Sequence, residues 1–118
     1  MTTARQTQEE LKAAGRQLRA AIPGVYGGYG ALNQAAMRDG ALPARIKELI
    51  ALAIAVTREC DGCISAHARS AHQRGVTAQE VAEAIGVAIM MNGGPGTVWG
   101  PRAYAAFQEF ARDSPDSG

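Results

Sequence analysis

The chain has 118 residues, with twelve Lys and Arg against eleven Asp and Glu, for a formal net charge of +1. A chain of this length holds one hydrophobic core, and so small a core gains from self-association. The basic residues are spread from Arg5 to Arg112 with no block able to neutralise many phosphates, which excludes nucleic acid as an expected partner.

The opening, MTTARQTQEEL, lacks the basic and then apolar run of a secretory signal. The longest apolar run, Leu49 to Val56, is too short to cross a bilayer. A cytoplasmic protein with no membrane partner is expected. In that reducing compartment, two cysteines separated by two residues point to catalysis or metal binding rather than to a structural staple. Two thiols exclude a four-cysteine zinc site within one chain.

Helix formers dominate and β-branched residues are too scattered for alternating strands, so an all-α, single-domain bundle of about six helices is expected. The first amphipathic helix runs from about Ala4 to Ala21 and stops at Ile22, Pro23 and Gly24. A weaker second helix runs from about Gly30 to Met37 and ends at Asp39 and Gly40. Pro43 suits the first turn of a third helix, which continues to Val56; its apolar run from Leu49 predicts burial on every side.

A break at Thr57 to Glu59 leads into a fourth helix, from about Cys60 to Gln73, with Gly75 as its left-handed cap. Thr77, Ala78, Gln79 and Glu80 have the form of a capping box and open a fifth helix to about Met91, with Val81, Ile85, Ala88 and Ile89 on one face. A loop from Asn92 to Gly96 precedes the last helix, about Thr97 to Ala111, which has Trp99, Tyr104, Phe107 and Phe110 to bury. Residues 1–38 thus read as an N-terminal helical extension packed on a core, 39–112, followed by a disordered tail, 113–118.

The residues that carry chemistry are concentrated in the middle of the chain. At about 100° per residue, His67 lies about 40° around the fourth helix from Cys63 and one turn further on. Cys60 and Cys63 share that side and can close a disulfide at the helix start, where free amides lower thiol pKa values. Glu48 is twelve residues before Cys60, roughly 18 Å away on a continuous helix, and meets the thiols only if the chain doubles back. In an antiparallel hairpin whose turn is centred between Thr57 and Arg58, the residue level with Glu48 is His67. The hairpin predicts a relay in which Glu48 orients His67 and His67 takes the proton from Cys63.

The spacing Glu48, eleven residues, Cys60, two residues, Cys63, three residues, His67 resembles the alkyl hydroperoxide reductase D (AhpD) branch of the carboxymuconolactone decarboxylase-like proteins. The flanking segments, Asp39 to Leu42 with Lys47 to Ala53, and Gly75 to Thr77 with Glu80 and Val81, are similar too. The resemblance covers about Asp39 to Met91 and makes 39–112 an AhpD-like core. It implies an all-helical subunit assembled into trimers or hexamers, and a peroxide-reducing dithiol site that needs no metal or other cofactor. Carried over, Cys63 attacks the hydroperoxide, Cys60 resolves the sulfenic acid as a disulfide, and His67 and Glu48 form the proton relay. A lipoyl-type or thioredoxin-like dithiol donor is implied. Some members place another histidine immediately before the second cysteine; here Gly62 stands there, so neither that extra proton route nor a high peroxidase activity is implied.

Other readings of the same residues stand beside this one. Cys60, Cys63 and His67 can supply three zinc ligands with Glu48 as a fourth, whereas His72, about 140° around the helix from His67, reads as a surface histidine. Glu48 can instead pair with Arg45 or Lys47 at the surface. Asp61 reads as the cap of the fourth helix, and Met90 and Met91 as core or interface filler. At the level of function, the alternatives are a decarboxylase-like lyase indifferent to its thiols, a general dithiol-disulfide oxidoreductase or redox sensor, and an interaction protein with inert cysteines.

Overall fold

The computed structural model describes residues 2–113, which form six helices and, among the described residues, no strand. They are α1 (Ala4–Ala21), α2 (Pro23–Met37), α3 (Ala44–Thr57), α4 (Asp61–Gln73), α5 (Ala78–Asn92) and α6 (Gly94–Arg112). The expected all-α architecture is the one observed. Most of the expected tail, 114–118, lies outside the described residues. Asp113, assigned to that tail, is ordered instead: it caps α6, and its carboxylate pairs with Arg5 Nε at 3.1 Å.

Two boundaries depart from expectation, and proline explains both. α2 starts at Pro23 rather than near Gly30. A residue before proline is driven out of helical geometry, so Ile22 breaks the chain at φ −133°, while proline itself suits the first helical turn. Likewise the glycine-rich segment after α5 is not a loop: only Gly93, at φ +74°, separates α5 from α6, and Pro95 sits in the first turn of α6.

α3, α4, α5 and α6 enclose the core, in which Leu52, Val56 and Val81 are completely buried and Phe107 and Phe110 nearly so. α6 approaches α5 closely because it presents glycine there. A Cβ on Gly96 would lie 2.9 Å from the Ile89 Cα, and one on Gly100 would lie 2.8 Å from Ile85 Cγ2. α1 is anchored at its start, where Thr7 is buried, the Arg5 amide donates to Glu109 Oε2 and the Arg5 guanidinium stacks on Phe110. Further along, Leu11 Cδ1 would be 2.7 Å from a Cβ on Gly62, so α1 crosses α4 beside the cysteines.

Burial of α3 on every side does not hold within the single chain. Ala44, Glu48, Leu52, Ala55 and Val56 face inward, but Ile50 and Ile54 are 45% and 55% exposed. Met90 and Met91 are likewise exposed and so are not core filler. α2 contains no charged residue and buries none of its fifteen residues. Within the described residues, no helix is long and apolar enough to cross a membrane.

Candidate active site

α3 and α4 pair as a hairpin through a short turn at Arg58, Glu59 and Cys60. The Arg58 amide donates to Ile54 O, Glu59 adopts φ +54°, and the Cys60 amide donates to Ala55 O at 3.2 Å. α4 then opens with Cys60 itself as cap residue, its sulfur accepting from the Cys63 amide at 3.2 Å. Asp61, expected to be the cap, is instead the first residue of the helix, where its charge complements the positive helix end. Cys60 and Cys63 are joined as a disulfide with Cα atoms 5.2 Å apart, Cys60 half-buried and Cys63 exposed.

The other end of α4 is closed by Gly75 at φ +80°, as expected. The Val76 amide reaches back to Ala71 O and the Gly75 amide to His72 O, which satisfies the last carbonyls of the helix. Val76 is buried, so this end of α4 is held against the core. Both ends being fixed, the face carrying Cys60, Cys63 and His67 is fixed as well.

Glu48 projects from α3 onto that face. Its side chain is only 4% exposed, and Oε2 lies 2.8 Å from His67 Nδ1. An ionised carboxylate only accepts, so the shared proton belongs to Nδ1 and His67 donates. That leaves Nε2 as the basic nitrogen of the ring, with Cys63 one helical turn before it on the same face. The two surface partners considered for Glu48 are engaged elsewhere: Arg45 binds Glu80, and Lys47 Nζ donates to Arg38 O at 2.7 Å.

The second carboxylate oxygen of Glu48 meets a residue that the sequence pattern alone does not single out. Arg74 Nε lies 3.4 Å from Oε1. A signal for it exists in the spacing, since seven residues after His67 bring a helix back to within about 20° of the same face. That signal is masked because Arg74 sits at the helix end, beside the glycine that dominates the local pattern.

One further placement differs from expectation. His72 is not a free surface histidine; it is half-buried and packs edge-on against Phe107, with ring centroids 6.0 Å apart. A cleft of ≈ 450 Å³ between the start of α1, α4 and α6 is lined by Thr7, Asp61, Ser65, Trp99, Arg102 and Arg112 among others. It includes neither sulfur, nor Glu48, nor His67. The Cys60–Cys63 disulfide therefore lies outside this cleft, with Cys63 exposed. In the disulfide form, no three His, Cys, Asp or Glu side chains among the described residues converge as a metal cage.

Electrostatics next to the site are set by Arg45 and Glu80, which tie α3 to α5. The hydrogen bond from Arg45, with a further one from the Thr77 amide, lowers the Glu80 carboxyl from 4.5 to about 2, and Glu80 in turn raises Arg45. Glu80 is also the return partner of Thr77 in the α5 capping box. One carboxylate thus serves a helix start and an ion pair together.

Comparison with known proteins agrees with this architecture. Residues 23–110 match the carboxymuconolactone decarboxylase family. An uncharacterised protein of Cupriavidus necator is 37% identical over 108 residues, covering 91% of this chain and 96% of the relative. Uncharacterised protein 4 in the cox locus of Paracoccus denitrificans is 38% identical over 80 residues, covering 68% of this chain and 72% of the relative. The crystal structure of an apo carboxymuconolactone decarboxylase family protein from Legionella pneumophila superimposes with a TM-score of 0.88 at 36% identity, over 91% of this chain and 96% of that one. The chain belongs to the carboxymuconolactone decarboxylase family, whose AhpD-like members it resembles in the spacing of its acid, thiols and imidazole. The match begins at residue 23, so α2 falls inside it and only α1 precedes it.

Proposed function

We propose that this protein is a thiol-dependent hydroperoxide reductase of the AhpD-like kind. The observation that carries the reading is the buried Glu48 carboxylate on His67 Nδ1, beside the Cys60–Cys63 pair. In the reduced protein, His67 Nε2 takes the proton of the Cys63 thiol. The thiolate attacks the terminal oxygen of a hydroperoxide, the O–O bond breaks, and the departing alkoxide takes the proton from His67, leaving a sulfenic acid on Cys63. The Cys60 thiol then attacks that sulfur; the S–S bond forms, and the hydroxyl leaves with the Cys60 proton as water. Two thiols are oxidised and one hydroperoxide is reduced to an alcohol and water. The cycle as written needs neither metal nor organic cofactor.

An external dithiol, of lipoyl or thioredoxin-like type, must reopen the disulfide by exchange. The exposure of Cys63 supports access by such a donor. A homo-oligomer in the cytoplasm is part of the same reading. The charge-free exposed α2 and the uncovered Ile50, Ile54, Met90 and Met91 favour self-association.

Stopped-flow oxidation of the reduced protein by hydrogen peroxide and by an organic hydroperoxide tests the reading. Oxidation much faster than that of a free thiol, abolished by Cys63→Ser, is expected. Oxidation no faster than a free thiol would leave a dithiol-disulfide oxidoreductase or sensor. A lactone decarboxylation that survives Cys63→Ser would make the protein a lyase.

A further inference from the structure

Both carboxylate oxygens of Glu48 are engaged, Oε2 with His67 Nδ1 at 2.8 Å and Oε1 with Arg74 Nε at 3.4 Å, on a side chain 4% exposed. A carboxylate withdrawn from water requires a counter-charge. Among the described residues, the basic side chains paired with it are His67, which is charged only when doubly protonated, and Arg74, which is always charged. Without Arg74 that counter-charge could come only from His67, and a ring that already held its second proton would have no site left for the proton of Cys63.

We propose that Arg74 is a positioning residue of the relay: it balances Glu48 and holds its orientation, so that His67 is free to gain a proton only when Cys63 becomes a thiolate. This inference rests on the hydroperoxide reading for its purpose but not for its test. With Arg74 present, the disulfide form is neutral, since Glu48 is offset by Arg74 and the imidazole is uncharged. Reduction by a dithiol delivers two electrons and two protons. The S–S bond breaks, one proton stays on the Cys60 sulfur, the other goes to His67 Nε2, and Cys63 is left as a thiolate. The reduced form is again neutral, because the new imidazolium offsets the new thiolate. Without Arg74, either the disulfide form holds an uncompensated buried carboxylate or His67 is already protonated.

The position of Arg74 fits this role. It is the C-cap of α4, two turns beyond His67, and the left-handed Gly75 ends the helix just after it. Its half-exposed guanidinium lies on one carboxylate oxygen of Glu48 and the His67 ring on the other.

Two readouts that involve no peroxide test the proposal at pH 7 in wild type, Arg74→Gln, Arg74→Met and Arg74→Lys. Nitrogen-15 NMR of the histidine rings in the disulfide form is expected to show wild-type His67 with one proton, on Nδ1. The doubly protonated fraction should rise severalfold in Arg74→Gln and Arg74→Met and return in Arg74→Lys. In the reduced protein, a ring that is already doubly protonated offsets the thiolate in advance, so a pH series of Cys63 alkylation by iodoacetamide should place its midpoint about one pK unit lower in the neutral variants, a tenfold change in the ionisation constant, and back at the wild-type value with lysine. Either readout left unchanged in the neutral variants overturns the proposal, even if their melting temperatures fall. Movement of both readouts in a protein that does not turn over hydroperoxides would support the role of Arg74 and refute the hydroperoxide reading alone.

Discussion

Glu48 and His67 are separated by 19 positions in the chain, and their side chains meet at 2.8 Å because the α3–α4 turn places them at the same level of an antiparallel hairpin. The acid is buried and the ring is partly open to solvent, so the pair links the core to the surface where Cys63 lies. Replacing Glu48 or His67 with Gln should slow oxidation of reduced Cys63 by a hydroperoxide by about 100-fold, the lower end of what a positioned acid or base contributes. A pH series of Cys63 alkylation should show its midpoint moving up toward the free-thiol value of about 8.5 in both variants. Rates and midpoints equal to wild type in both would remove the relay.

The two sulfurs should fail differently when replaced. Cys63→Ser should be inert to hydroperoxide, whereas Cys60→Ser should consume one equivalent and stop at a sulfenic acid that dimedone captures. Intact-protein mass spectrometry reads both outcomes. Capture on Cys60 in a Cys63→Ser background would reverse the assignment.

The Arg45–Glu80 pair predicts an acid sensitivity with a definite sign. The folded Glu80 carboxyl lies at about 2, below its ordinary 4.5, so its stabilising contribution is complete above about 4.5 and is lost as pH falls toward 2. Urea unfolding of wild type and Glu80→Gln at pH 7 and pH 3 should therefore show a larger drop in midpoint for wild type. Equal drops would show that the pair contributes nothing at this exposed position.

Two glycines in the α5–α6 layer should respond in opposite directions to the same substitution. Gly86, in the interior of α5, would have nothing within 4 Å of an added Cβ, so Gly86→Ala should stabilise by about 0.5–1 kcal/mol through helix propensity. Gly96 lies against the backbone of Ile89, so Gly96→Ala should destabilise by about 1–3 kcal/mol as the helices are forced apart. Thermal melts of the two variants measure both effects, and a stabilised Gly96→Ala would contradict the close contact.

Self-association is open to direct measurement. Sedimentation of the intact protein should give a mass above the 12.3 kDa of one chain. A double Tyr29→Glu and Leu32→Glu variant, at positions 70% and 63% exposed on α2, should lower that mass. A wild-type monomer at micromolar concentration would remove self-association from the reading.

What can be read in the sequence is mostly local. Helix periodicity, the Thr77 capping box, the Gly75 stop and the Glu48–His67 level each follow from spacing within one or two adjacent helices, and each is present in the structure. The departures arise where a local signal is ambiguous. Pro23 and Pro95 could end one helix or begin the next, and they begin one. Ile50 and Ile54 are apolar without being covered, because apolar composition does not name the surface that will cover it. Arg74 requires the end of α4 to be located to within a turn, and Asp61 loses the cap to a neighbouring sulfur that no capping preference favours.

The turn at Arg58, Glu59 and Cys60 sets a length standard for everything that follows it. One residue added or removed there would rotate α4 by about 100° and slide it by about 1.5 Å, which carries the imidazole off the carboxylate without altering either side chain. Substitutions in this corner should be forgiven far more readily than insertions or deletions, because the register of acid against imidazole is counted in residues and is indifferent to which ones do the counting.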